Sequence, residues 1–210
     1  MQKVSTGGFG VINFKQLATM RPALVVLSSL IDYPEPATFA TASRVNIVAN
    51  YPETAQKNNL LAAFDQLATH TPLEQQAHYA SLFEMNKRYT LYMSFYKMTD
   101  SRERGTILAK LKMMYEMFGL TTVSSELADF LPLLLEFLAY GHFEGDPRQQ
   151  DIKLAFQVIE DGTYTMLQNA AAELDDPYFR LLQVVRAELR TCVETEVAAS
   201  WKISFPWLCG

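Results

Sequence analysis

The chain has 210 residues, enough to bury a substantial core in one large domain or two very small ones. Apolar residues make up 49% and charged residues 20%, which excludes a disordered composition. A formal net charge of −5 argues against nucleic acid, whose phosphates demand concentrated Lys and Arg, and suits a basic partner instead.

Leu, Ala, Met, Glu, Gln and Lys recur at helical spacing, and Val, Ile and Thr form no alternating runs, so an all-α fold is expected. Met1 to Phe14 carries one Lys, three glycines and no long apolar run, which matches neither a signal peptide nor an anchor; residues 1–12 are expected to be a flexible end. Pro22 is read as a helix start leading through Leu24, Leu27, Leu30 and Ile31 to the Asp32-Tyr33-Pro34 turn. Ala23 to Ile31 is too short an apolar stretch to span a bilayer. Pro36 is read as opening a short helix through Phe39, Val45 and Val48, and Thr54 as capping the next, with its stripe Leu60, Leu61, Phe64 and Leu67. Thr71-Pro72-Leu73-Glu74 predicts a capping box ahead of a helix carrying Tyr79, Leu82 and Phe83.

Asn86 to Met98, dense in aromatics, is helical or partly irregular. Thr99 or Asp100 then caps a helix with Ile107, Leu108, Leu111, Met114, Tyr115 and Phe118, closed by Gly119. Asp129 is read chiefly as the cap of a helix from Phe130 to Tyr140 and also as a groove-rim acid; Pro132 is tolerated in that helix's first turn. Gly141 and Gly145 bound the next loop, and Asp146-Pro147 and Asp176-Pro177 repeat one start signal. The last helix carries Phe179, Leu182, Val185, Leu189, Val193 and Val197. The expected organisation is one helical domain over residues 13–199 and an aromatic tail, 200–210, with Trp201, Phe205, Trp207 and Leu208.

Motifs for catalysis are missing: there is no P-loop, dinucleotide-binding glycine pattern or nucleophile elbow. Gly7-Gly8-Phe9-Gly10 lacks a preceding strand and the phosphate-binding spacing. Glu74 and His78 are spaced to reach one metal, but a metal site needs three or four converging ligands, so a solvated pair is the expectation. Cys192, packed in a helix, and Cys209, in the tail, are expected to be reduced thiols of a cytoplasmic protein.

Between His78 and Gly141 the chain reads Tyr79-Ala80-Ser81-Leu82-Phe83-Glu84, then Arg88-Tyr89-Thr90-Leu91-Tyr92, then Asp100-Ser101-Arg102-Glu103-Arg104-Gly105. Tyr115 and Gly119 follow, then Glu126-Leu127-Ala128-Asp129-Phe130-Leu131-Pro132 and Leu133-Leu134-Leu135-Glu136-Phe137-Leu138. In order and spacing these blocks resemble the NarJ family of nitrate reductase assembly chaperones, part of the wider TorD-like group; Leu30-Ile31-Asp32-Tyr33-Pro34 is similar to that family's early Tyr-Pro turn. Ala128 stands where the family usually has proline.

The resemblance implies a TorD-like, single-domain helical bundle that is not an enzyme and carries no cofactor of its own. Its implied partner is the apo form of the nitrate reductase catalytic subunit. The resemblance further implies binding of that subunit's N-terminal peptide and retention of the subunit in the cytoplasm during molybdenum cofactor insertion, before membrane docking. The expected peptide-binding residues are Arg88, Tyr89, Tyr92, Arg102, Arg104, Glu126, Asp129, Phe130, Pro132 and Glu136. Phe95, Tyr96 and the methionines are further candidates for the apolar surface, and Arg102 or Arg104 for an ion pair with Glu126 or Glu136. Monomer and dimer, a domain-swapped one included, are both open. Competing readings are a chaperone for a dimethyl sulfoxide or trimethylamine oxide reductase, a helical adaptor, and a helical enzyme using Glu126, Asp129 and His142 as acid–base groups.

Overall fold

The computed structural model describes residues 10–97, 101–121 and 125–194, and among them the fold is all-α around one core. The first helix, α1 (Phe14–Ile31), starts at Asn13, whose side chain accepts from the Gln16 amide. The expected start at Pro22 is therefore wrong: Pro22 lies inside α1 at an exposed position. An interior proline costs about 3 kcal/mol. The buried stripe Leu17, Met20, Leu24, Leu27 and Leu30 offsets that cost by packing.

The next helix, α2 (Thr41–Asn50), begins past Pro36, after turns that bury Phe39. Helix α3 (Lys57–Ala68) follows Thr54, which accepts from the Gln56 amide but turns its own hydroxyl to the buried Glu188. The Tyr51 hydroxyl also donates to Glu188, at 3.0 Å, so a carboxylate that would be costly alone has two donors. In α4 (Pro72–Tyr79) the capping box is present: the Thr71 amide donates to Glu74 at 2.8 Å and the Glu74 amide to the Thr71 hydroxyl at 3.4 Å. The chain then widens into a π-helical turn, Ala80–Glu84.

Residues 86–97, the described part of the aromatic segment, take the irregular alternative, with a short 3₁₀ turn at Met93–Tyr96. The helix after it, α5 (Ser101–Met117), has its expected caps, Thr99 and Asp100, outside the described residues. It closes as glycine predicts, with Gly119 at φ 84° and the Leu120 amide donating to the Tyr115 carbonyl at 2.9 Å.

Helix α6 (Leu131–Tyr140) is buried on most sides and packs along α1, with the buried Ser28 hydroxyl donating to the Pro132 carbonyl at 3.0 Å. Tyr115, Phe118, Phe137 and Phe143 form a ring cluster at its side. Asp146-Pro147 starts only a turn and the 3₁₀ segment Gln149–Ile152; α7 (Lys153–Asn169) begins after it. Asp176-Pro177 does start a helix, α8 (Pro177–Thr191), with Asp176 accepting from the Tyr178 amide at 2.9 Å. That helix stops short of Val193, because strand β2 (Val193–Glu194) pairs antiparallel with β1 (Val11–Ile12). Val197, Cys209 and the aromatic tail lie outside the described residues. Cys192 is buried at the end of α8. No described helix is long and apolar enough to cross a membrane.

Candidate functional site

Two distant segments meet to build the site. The backbone of residues 91–93 pairs with that of 129–131: the Met93 amide donates to the Asp129 carbonyl and the Leu131 amide to the Leu91 carbonyl, each at 2.9 Å. This pairing sets Tyr92 beside Phe130, with ring centroids 5.6 Å apart. The Glu126 loop comes down on the same side, so the Tyr92 hydroxyl donates to Glu126 at 2.6 Å. Burial first, and then this contact, pushes the Tyr92 hydroxyl up to about 12, so it stays a donor at neutral pH.

These residues line an open groove of about 750 Å³. Its apolar surface comes from Tyr33, Tyr79, Phe83, Tyr92, Phe95 and Phe130, and its charged groups are Asp32, Glu84 and Glu126 against Lys87 and Arg104. Tyr33, Phe95 and Leu127 stand exposed at its edge, an apolar margin that water disfavours. The carboxylates feel one another: partial desolvation raises Asp32, and nearby Glu126 and Glu35 raise it further against a hydrogen bond from the Tyr33 amide. Glu136, on the exposed side of α6, is raised by partial desolvation and by Asp32. Tyr79 is held strongly toward its neutral form by burial and then by Asp32, Tyr178, Glu84 and Glu126.

Asp129 lies beneath this surface and is fully buried. Its carboxylate accepts from the Ser94 amide and hydroxyl and from Arg104, the last at 3.1 Å. Its reading as a helix cap is overturned, since Phe130 occupies the cap position of α6 with no side-chain cap bond. The expected ion pair of Arg104 with Glu126 or Glu136 is replaced by this one with Asp129.

The expected binding residues divide sharply. Tyr92, Arg104, Glu126 and Phe130 line the groove. Tyr89 is fully buried, its hydroxyl donating to Glu173 at 2.7 Å, and Arg88 turns to the Asn169 carbonyl; neither reaches the groove. Pro132 is buried against Ser28, and Arg102 is exposed on the first turn of α5. Tyr96 is half-buried, donating to the Thr90 carbonyl, and among the described residues the groove's lining contains no methionine. Met113, Met114 and Met117 instead border a separate cleft on α5. Sequence reasoning missed Asp32, Tyr33 and Glu84 as lining residues. The Asp-Tyr-Pro turn was the available signal for the first two.

Acid–base chemistry by Glu126, Asp129 and His142 is not assembled. Helix α6 separates the first two from His142, a length of about 15 Å at 1.5 Å per residue. His78 is not half of a solvated pair with Glu74; its ring pairs with Asp176 at 2.7 Å, while Glu74 serves the capping box. No group of metal-ligating residues occurs among the described residues.

The family model described as nitrate reductase delta subunit matches residues 49–182. That span contains every groove residue named above except Asp32 and Tyr33. The nitrate reductase molybdenum cofactor assembly chaperone NarJ of Escherichia coli (strain K12) is 34% identical over 119 residues, 55% of this chain and 50% of that protein. The probable assembly chaperone NarJ of Bacillus subtilis (strain 168) is 35% identical over 88 residues, 42% of this chain and 48% of that protein. The nitrate reductase-like protein NarX of Mycobacterium tuberculosis (strain ATCC 25618 / H37Rv) is 28% identical over 112 residues, 53% of this chain and 17% of that protein. The chain thus spans about half the length of the curated NarJ relatives that it matches.

Proposed function

Because the chain belongs to the nitrate reductase delta subunit family, we propose that it is an assembly chaperone for respiratory nitrate reductase that holds the N-terminal peptide of the catalytic subunit in the groove between Asp32 and Phe130. It performs no bond-making itself; it keeps the apo-subunit in the cytoplasm and accessible for molybdenum cofactor insertion before membrane docking. The observation that carries this reading is the groove's double character: an aromatic floor with exposed rings at its edge, bordered by Asp32, Glu84 and Glu126.

Volume alone does not decide the occupant, because small-molecule pockets also run from about 300 to 1,000 Å³. Openness, exposed edge rings and clustered carboxylates favour a longer, cationic ligand. An amphipathic helix can lay an apolar face on Tyr33, Phe83, Phe95 and Phe130 while its Lys or Arg side chains meet the carboxylates. Tyrosines suit such a floor, since each offers a large face and a polar tip. Groups at the edge contribute attraction and orientation more than raw affinity, so binding weakens with salt.

Isothermal titration with a synthetic peptide of the catalytic subunit's N-terminus tests the proposal. The wild-type protein binds it, and the triple variant D32N/E84Q/E126Q binds at least about tenfold more weakly at low salt, equivalent to about 1.4 kcal/mol. Tyr92→Ala, which removes both a floor ring and the donor to Glu126, also weakens binding. Absence of binding by the wild-type protein, or equal affinity in the triple variant, overturns the proposal.

A further inference from the structure

Arg104 is poorly placed to be a simple contact for a cationic ligand, and the structure gives it a different task. It projects from the first half of α5, where no residue from Ser101 to Lys110 is buried; Leu111 is the first that is. In that half only Arg104, Ile107 and Leu108 are even half-buried, so apolar packing holds it weakly. The Arg104 guanidinium lines the groove and at the same time reaches under the surface, donating to the Ser94 hydroxyl at 3.2 Å and to Asp129 at 3.1 Å. Asp129 is fully buried, and its Oδ1 has no hydrogen-bond partner among the described residues. A buried carboxylate with spare acceptor capacity favours any cation that can reach it. Arg104 stands between it and the groove.

We propose that Arg104 is a latch: it occupies from within the chain the cation position at Asp129, and a basic side chain of a peptide in the groove competes for that position and releases the first half of α5. This rests on the peptide reading above for the identity of the competitor, whereas the latch itself is a property of the free protein. The contact is built for exchange. Arg104 is still 24% exposed while its partner is at 0%, so the guanidinium can leave toward solvent and the carboxylate cannot follow. Release would couple occupancy of the groove to the exposed face of residues 101–110.

Amide hydrogen exchange on the full chain, with and without the synthetic N-terminal peptide, tests this alongside calorimetry. In the free protein, R104Q and the milder R104K speed exchange across Ile107 to Lys110 several-fold, while Leu111 to Met117 keep their protection. In the wild-type protein the peptide produces the same local loss of protection. R104Q binds the peptide several-fold more tightly than wild type, and R104Q/D129N loses that gain. Unchanged exchange in both free variants overturns the latch, and so does weaker peptide binding by R104Q, which would make Arg104 a direct contact. If the free variants release α5 but no protein in the series binds the peptide, the latch is upheld and the peptide reading is what fails.

Discussion

His78 joins the start of α8 to α4 through one polar contact, its ring nitrogen lying 2.7 Å from Asp176 with the Tyr178 ring edge-on at 5.5 Å. The hydrogen bond with Asp176 raises the imidazole above its usual 6.5, and partial burial opposes that rise. A group raised by folding adds stability that is complete below its unfolded value and is lost as pH climbs through the folded one. Stability referred to this pair is therefore full below about pH 6.5 and declines above it. Urea midpoints measured from pH 5.5 to 8.5 are expected to fall in the wild-type protein relative to H78N, and parallel curves would show that the pair does not contribute to the pH dependence. Asp129 differs in kind. Its local sequence carries an ordinary capping signal, but its partners, Ser94 and Arg104, lie 35 and 25 residues away. Only the tertiary pairing of 91–93 with 129–131 turns that carboxylate inward, so no local rule could have found its role.

At the scale of elements, the groove wall depends on a close approach made far from it. A Cβ built on Gly162 of α7 would sit 2.6 Å from the Met93 carbonyl oxygen and 2.8 Å from Met93 Cα, so the 3₁₀ turn bearing Phe95 rests on a bare backbone. Replacing Gly162 with Ala must push that turn outward, at a cost of about 1–3 kcal/mol. The G162A variant should lower the urea midpoint and also weaken peptide binding; lowered stability with unchanged affinity would show that the wall position does not matter to the site. Helix starts that use nearest-neighbour chemistry were legible in the sequence: Thr71 to Glu74 and Asp176-Pro177 both do what their spacing predicts, as does Gly119 at the end of α5. Pro22 misled because proline marks a first turn only when nothing upstream continues the helix, and the buried stripe of α1 does continue it. Asp146-Pro147 opens only a turn, in which Asp146 accepts from the Arg148 amide and guanidinium, and α7 begins at Lys153. Residues 86–98 were ambiguous because their aromatics serve two layers, with Tyr89 in the core and Phe95 at the edge, and no single period describes that.

For the molecule as a whole, helix content, a single core and the family were readable from the ordered blocks between Tyr79 and Leu138, whereas the groove's composition was only half readable. Tyr92, Glu126 and Phe130 were found through the resemblance, but the turn after α1 supplies Asp32 and Tyr33 from nearly a hundred residues before Glu126, beyond any local pattern. On the proposed function, one acid-edged aromatic groove holds the peptide. An NMR titration with the catalytic subunit's N-terminal peptide tests that placement most directly. Amide shift changes are expected to concentrate at residues 32–33, 83–95 and 126–130 and to extend into the first half of α5. Changes clustered instead along the Met113–Met117 cleft or the α7–α8 face, with residues 83–95 unmoved, would contradict it.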